Sequence, residues 1–277
     1  MASSRETSGT VVDAPEEAVA VDGPPRVVLD TALEVTSYRN FTARCHAMAR
    51  SGGVHSVDFT NTQIVTLRRH DPVFREITSR VDHFVPDGMP LIWCLNRQGA
   101  GLRDRVYGPT FMRHCVLASP APWTHYLLGG STECLERLQQ RLLEANPDVR
   151  FVGAQNGYFK PEDEPRILEE INRLSPDFIW VGLGTPKQQD WIHRHKALLR
   201  RGVVLAVGFA FDVNAGTKPD APAWMQRWGL TWVFRVASEP RRLLGRYLKW
   251  NSLFLYYLLR DRLSPVRRPA QTPPESG

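Results

Sequence analysis

Asp177-Phe178-Ile179-Trp180-Val181-Gly182-Leu183 is a near-continuous apolar run behind one acidic residue, and Gly184-Thr185-Pro186 follows it at once. The run has the length of a strand and is too short for a helix. Its apolar residues are consecutive rather than alternating, so both faces of such a strand are covered. A strand covered on both faces belongs to a parallel sheet with helices above and below it. The glycine and proline then turn the chain into the next helix.

Outward from this stretch the same alternation repeats. On the C-terminal side a helix reaches about residue 200, and strand 203–207 ends at Gly208. On the N-terminal side lie helix 161–174, strand 149–154, helix 132–145 and strand 124–128, the last ending in Gly129-Gly130. Farther back a helix runs from Gly108-Pro109 to about residue 118, after helix 89–97 and strand 83–85. Helix 71–80 opens on Asp71-Pro72, a cap and a first-turn proline. Strand 54–59 ends in Thr60-Asn61-Thr62, and helix 37–50 stops at Gly52-Gly53. The pattern predicts an α/β protein with a Rossmann-like, mostly parallel sheet and helices on both faces.

The ends differ from this middle. Residues 1–25 lack periodicity and are predicted to be a disordered arm, with order beginning near Arg26. The α/β domain is expected over 26–216. A helical appendage is expected over 217–263, with short helices at 223–228 and 230–236 and a long one from Glu239-Pro240 to about 263. Along the long helix Leu243, Tyr247, Trp250, Phe254 and Tyr257 recur at helical spacing. The tail over 264–277 is Pro-rich and expected to be disordered.

The formal charge of +6 is concentrated at one end: from residue 235 onward nine Lys and Arg face three acids, and the first 234 residues carry no net charge. A basic zone confined to the tail calls for an anionic partner such as a ligand phosphate or a lipid headgroup. It speaks against a duplex-binding face, and no nucleic-acid-binding signature is present, so nucleic acid is not expected as a partner. No stretch approaches the roughly 18 to 20 apolar residues of a membrane span. The four cysteines form no CxxC pair, which points to a reducing compartment and away from a zinc site. The eight histidines form no HxxxH or HExxH, so no metal is expected.

Chemistry-bearing residues gather where strands end. Pro86-Asp87-Gly88 puts one carboxylate at the rim of the sheet, where open α/β sheets keep their ligands. Three further glycine turns follow strands: Leu128-Gly129-Gly130, Gly182 to Pro186, and Gly208 with Gly216. Such turns let a phosphate approach the backbone and the next helix N-terminus. None is a GxGxxG or a P-loop, so neither NAD nor ATP in its usual setting is indicated, and no GxSxG marks a serine hydrolase. Thr60, Asn61, Arg105, Tyr158, Gln188 and Asp212 stand beside these turns.

Taken in order, these blocks resemble the bacterial WecG/TagA/CpsF glycosyltransferases. The resemblance runs from about Val54 to Tyr247. It rests on Asn61, Pro86-Asp87-Gly88, Arg105 to Gly108, Leu128-Gly129-Gly130, Gly157-Tyr158-Phe159, Val181 to Gln188, Ala215-Gly216, Ala221 to Trp224, Trp232 to Arg235, and Glu239-Pro240-Arg241. It implies inverting transfer of a hexose from a UDP-sugar to a glycosyl-diphospho-polyprenol in polysaccharide assembly. It also implies no essential metal or cofactor and a peripheral place on the inner face of the cell membrane.

On this resemblance Asp87 is the general base. Asn61, Thr60, Arg105, Gly129, Gly130, Tyr158, Gly184, Gln188, Asp212 and Gly216 are expected on the donor, and Arg235, Arg241, Arg242 and Arg246 on the acceptor diphosphate. The chain departs from the family pattern at Phe59 (Thr in many members), Gln189 (Glu), Asp220 (Arg) and Thr231 (Glu), which leans the donor toward glucose or another neutral hexose rather than N-acetylmannosamine or a uronic acid. The appendage is expected to meet an anionic membrane surface, with Trp250, Phe254, Tyr256 and Tyr257 entering its boundary. A partner subunit, as in a homo-oligomer, is the other reading of its wide apolar surface. Competing functions are a non-catalytic nucleotide-sugar-binding module and a UDP-sugar hydrolase using Asp87 on water.

Overall fold

A computed structural model describes residues 22–263. An eight-stranded sheet runs β1 (Gly23–Val28), β2 (Thr31–Val35), β3 (Val54–Thr60), β4 (His83–Pro86), β5 (Thr124–Gly129), β6 (Arg150–Gln155), β7 (Phe178–Gly182) and β8 (Gly202–Ala206) along the chain. In space the order is β1-β2-β4-β3-β8-β7-β5-β6, and every pairing except β1 with β2 is parallel. The helices are α1 (Tyr38–Arg50), α2 (Thr62–His70), α3 (Pro72–Ile77), α4 (Met89–Asn96), α5 (Gly108–Leu117), α6 (Thr132–Ala145), α7 (Glu164–Leu174), α8 (Lys187–His195) and α9 (Ala210–Ala215). Three more follow: α10 (Ala223–Arg227), α11 (Thr231–Ser238) and α12 (Pro240–Leu263).

The decisive stretch lies in the sheet's interior as β7, between β8 and β5. Phe178 and Trp180 point into one apolar cluster with α1, α5, α6 and α9 residues, while Ile179 and Val181 point into a second with α7 and α8 residues. Neighbouring β8 divides likewise, with Val203 and Leu205 on one face and Val204 and Ala206 on the other. Both faces of the central strands are therefore dry, as consecutive apolar residues require. A third cluster joins β1, β2, β4, α2 and α4 to Phe254 of α12.

One glycine shows why the strand ends are so spare. Gly129 has φ +136°, and a Cβ there would lie 2.4 Å from the carbonyl carbon of Gly182. Strands β5 and β7 can close at this edge only because Gly129 carries no side chain, whereas a Cβ on Gly182 would meet the Phe211 ring at 2.8 Å.

Three elements escape a reading by pattern. β1 and β2 form a hairpin through Leu29-Asp30, both at positive φ, without the Asn-Gly or Gly pair that usually announces such a turn. The hairpin starts inside the expected arm, at Gly23. The expected arm over 1–21 and the tail over 264–277 lie outside the described residues. Helix α2 carries Thr62, Ile64, Val65 and Thr66, β-branched residues of modest helix propensity. It forms because the Asn61 side chain accepts from the N–H groups of Gln63 and Ile64 and because Ile64 and Val65 are buried. The six-residue α9 is too short to show a period.

Helix α12 packs one face on α2. Thr62 donates to Asn251 at 3.2 Å, His70 and the Tyr257 hydroxyl are 2.8 Å apart, and Arg69 pairs with Asp261 at 3.0 Å. This corrects the expected outward face. Phe254 is buried and Tyr257 packs on the same cluster, because residues 250, 254 and 257 form the stripe turned to the domain. Leu244, Leu248, Leu255, Tyr256, Leu259 and Leu263 are the exposed ones. Among the described residues no helix is long and apolar enough to cross a membrane.

Candidate active site

The C-terminal ends of the parallel strands open into one cleft of about 1030 Å³, walled on the far side by α4, α11 and α12. Asp87 stands in it one residue beyond β4. Its N–H donates to the Thr60 carbonyl at 2.7 Å, and the Val106 N–H donates to the Pro86 carbonyl at 3.0 Å, so the carboxylate is carried on a backbone held from both sides. Carboxyl oxygen Oδ1 is out of solvent and has no hydrogen-bond partner among the described residues. Burial pushes the Asp87 carboxyl from the ordinary 3.8 up to about 7; Arg105, the Gly108 N–H and Arg235 oppose this, and Asp220 adds to it. Such a group takes up a proton readily near neutral pH, which suits a general base.

Arg105 is buried and already engaged. It donates to the Asp87 carbonyl at 3.2 Å and to the Thr231 hydroxyl at 2.9 Å, and its guanidinium lies 4.2 Å from the Tyr107 ring centre. Tyr107 donates its hydroxyl to Asp220 at 2.7 Å. These contacts make Arg105 a support of the Asp87 turn. Of the departures noted in the sequence, Thr231 thus lines the cleft, and Asp220 holds the hydroxyl of the cleft-lining Tyr107.

The expected donor residues divide. Asn61, Gly130, Tyr158, Gly184, Gln188 and Asp212 line the cleft. Asn61 is committed to capping α2, and Gln188 accepts from the Gly184 N–H at 3.1 Å, holding that turn. Tyr158 is 83% exposed at the rim. The other three point elsewhere. Thr60 is fully buried and donates to Asp58 at 2.6 Å, because it faces inward where β3 ends. Gly129 serves the β5–β7 approach already described. Gly216 caps α9 at φ +69°, a left-handed position that favours glycine. Phe59 is in the core beside Phe41 and Phe111, and Gln189 is buried and donates to Asp58 at 2.7 Å.

Cations gather at the other end of the cleft. Arg235, Arg242 and Arg246 line it, whereas Arg241 is exposed and does not. Arg235 stacks 4.1 Å from the Phe209 ring centre. Burial lowers the Arg246 guanidinium below its usual range, with Arg235 and Arg242 adding to the effect, and its Nε is buried without a hydrogen-bond partner among the described residues. Lys218 completes the group. Glu239 accepts from both Lys218 at 3.1 Å and Arg242 at 2.5 Å, one carboxylate against four cations. Lys218 was findable only from the fold, since nothing in its local sequence sets it apart. Among the described residues no group of three or more His, Cys, Asp or Glu is placed to hold a metal ion.

The helix N-termini complete the geometry. Gly130 and Ser131 bring the start of α6 to the cleft, and Pro186 and Lys187 bring the start of α8. Both are anion-favouring ends. The cleft therefore offers two seats for negative charge with one poised carboxylate, an arrangement fit for transfer between two phosphorylated substrates.

A model of the glycosyl transferase WecG/TagA/CpsF family matches residues 26–268. The chain is 29% identical over 203 residues to the N-acetylglucosaminyldiphosphoundecaprenol N-acetyl-beta-D-mannosaminyltransferases of Staphylococcus aureus strains MW2 and NCTC 8325 / PS 47, which covers 73% of this chain and 78% of each relative. The family match runs from within β1 through the end of α12, and on it the chain belongs to the WecG/TagA/CpsF family of glycosyl transferases.

Proposed function

We propose that the protein moves a hexose from a UDP-sugar, with inversion, onto the sugar of a glycosyl-diphospho-polyprenol. The observation that carries the reading is Asp87, whose buried oxygen has no partner and whose affinity for a proton is raised toward neutrality. The acceptor hydroxyl gives its proton to this carboxylate as its oxygen bonds to the anomeric carbon. The bond from that carbon to the donor phosphate breaks, and UDP leaves with the electron pair. The N-termini of α6 and α8 receive the UDP phosphates, and Tyr158 at the rim offers a face for the uracil. Arg235, Arg242, Arg246 and Lys218 take the acceptor diphosphate. Cations and helix ends supply the charge stabilisation, so the proposal needs no metal.

Thr231 in the wall and Asp220 on the Tyr107 hydroxyl, in place of the family's Glu and Arg, favour a neutral hexose, with UDP-glucose as the first donor. The relatives' names favour N-acetylmannosamine as the second reading. A panel of UDP-glucose, UDP-N-acetylmannosamine, its uronic acid and UDP-glucuronic acid, each offered with a sugar-diphospholipid, tests both. One donor is expected to give lipid-linked product. UDP release at full rate without lipid acceptor indicates a hydrolase instead, and binding without turnover of any donor indicates a non-catalytic module.

Residues 217–263 are proposed to rest on an anionic membrane surface. The exposed leucines of α12 lie beside Arg241, Lys249, Arg260 and Arg262, and Trp224 and Trp228 are 58% and 71% exposed. Leu248→Asp with Leu259→Asp, both at exposed positions, is expected to abolish cosedimentation with phosphatidylglycerol vesicles while the thermal midpoint stays within about 2 °C. Unchanged cosedimentation contradicts membrane contact.

A further inference from the structure

The cleft does not end at the cations. Farther along α12 than Arg242 and Arg246 its lining turns into an apolar trough, with Phe254, Leu255 and Leu258 of α12, Ile64 of α2 and Met89 and Trp93 of α4. Trp93 of α4 is 50% exposed and Leu255 of α12 is 58% exposed, and both line this same cleft. Two large apolar side chains left open on opposite walls of a binding cleft are unusual unless an apolar ligand lies between them. The walls do not need to be apolar for folding, since the inward faces of α4 and α12 already bury Leu91, Ile92, Leu95 and Phe254.

The outer end of the trough is basic. Arg97 lines it, and Arg97 and Arg262 both act on the neighbouring Cys94 thiol, lowering the proton affinity that burial raises. Along α12 the order is thus cations at Arg242 and Arg246, then an apolar stretch at Phe254, Leu255 and Leu258, then a basic end at Arg262.

We propose that this trough holds the first isoprene units of the acceptor's polyprenyl chain, so that the lipid is gripped by its hydrocarbon as well as by its diphosphate. This rests on the acceptor reading above. It adds that the enzyme measures apolar chain next to the diphosphate. The occupant follows from continuity, because a chain attached to a diphosphate seated at Arg242 and Arg246 meets the apolar lining at Phe254, Leu255 and Leu258 farther along the same helix. A free sugar nucleotide has no apolar tail to fill it.

The test uses the full chain and four probes: inorganic diphosphate and the dimethylallyl, geranyl and farnesyl diphosphates, titrated by tryptophan fluorescence and by calorimetry. Each added isoprene unit is expected to tighten binding roughly threefold to tenfold, the size expected for hydrocarbon moved from water to a partly open apolar channel. Leu255→Asp and Trp93→Ser, both at exposed positions, are expected to flatten this dependence while leaving inorganic diphosphate binding within about twofold. Calorimetry reads the Trp93 variant independently of its lost fluorophore. Equal affinity for all three prenyl diphosphates overturns the trough, as does an undiminished chain-length dependence in both variants. Failure of every diphosphate to bind, including the inorganic one, overturns the acceptor reading itself.

Discussion

Asp87→Asn is expected to lower kcat/KM for transfer by about 100-fold to 10,000-fold, the range a positioned general base supplies. Donor binding is expected to stay within about threefold, because the amide keeps the size of the carboxyl and the glycine turns are untouched. The same substitution has an opposite effect on stability. The Asp87 carboxyl ionises near 3.8 in the unfolded chain and near 7 in the folded one. The folded protein therefore carries a cost for the ionised form that is absent below pH 3.8 and complete above pH 7. Removing the charge is expected to raise the thermal midpoint at pH 8, by on the order of 1–3 kcal/mol of stability, and to leave it unchanged near pH 4. A variant that is inactive and less stable at pH 8 indicates a structural carboxylate, and a variant that keeps full turnover removes Asp87 from the chemistry.

The second large effect belongs to the cations. Arg242→Ala with Arg246→Ala is expected to raise the acceptor KM by about 100-fold or more, since truncating partners of a partly desolvated charge contact costs roughly 2–5 kcal/mol. Donor KM is expected to change less than threefold. Arg241→Ala, at an exposed position outside the cleft, serves as the matched control and is expected to change neither. Equal losses for donor and acceptor place these residues in a shared phosphate seat, and no loss at all removes the acceptor diphosphate from this end. Salt sharpens the comparison, because the native acceptor KM is expected to rise with ionic strength and the double variant's to rise less.

The parallel sheet was legible because its central strands are apolar on both faces. Phe178 to Val181 and Val203 to Ala206 each feed two clusters, and no other arrangement of so short a run does that. The long C-terminal helix was legible from its spacing, and the start of α3 from Asp71, whose side chain accepts from the N–H groups of Val73 and Phe74. What stayed hidden was decided by contacts between distant residues. The β1–β2 turn uses Leu29 and Asp30 at positive φ, and Asp30 is held by Arg69 and Arg75, far along the chain. Which face of α12 turns inward depends on Phe254 meeting the β1–β2–β4 cluster, a fact with no local signature.

The candidate site was legible in its strand-end glycines and in Asp87, which the chain order alone brings to one edge. It was less legible where a polar residue at a strand end can face either way. Thr60 and Asn61 are adjacent, yet Thr60 turns into the sheet toward Asp58 while Asn61 faces the cleft. The period of two along a strand fixes that alternation but not which member faces the ligand. Arg105 lines the cleft as expected of it, but its contacts to the Asp87 carbonyl and the Thr231 hydroxyl have no signature in the sequence.

Asp87 is proposed to take the acceptor's proton from a poised, buried position. The pH dependence of kcat/KM for transfer between pH 5 and 9 tests it most directly. Activity requires the ionised carboxylate, so the rate is expected to rise about tenfold per pH unit at low pH and to level off above about 7. In Asp87→Asn the residual rate is expected to lose that bend. A native profile that is flat across this range, or the same bend surviving in the variant, contradicts the claim.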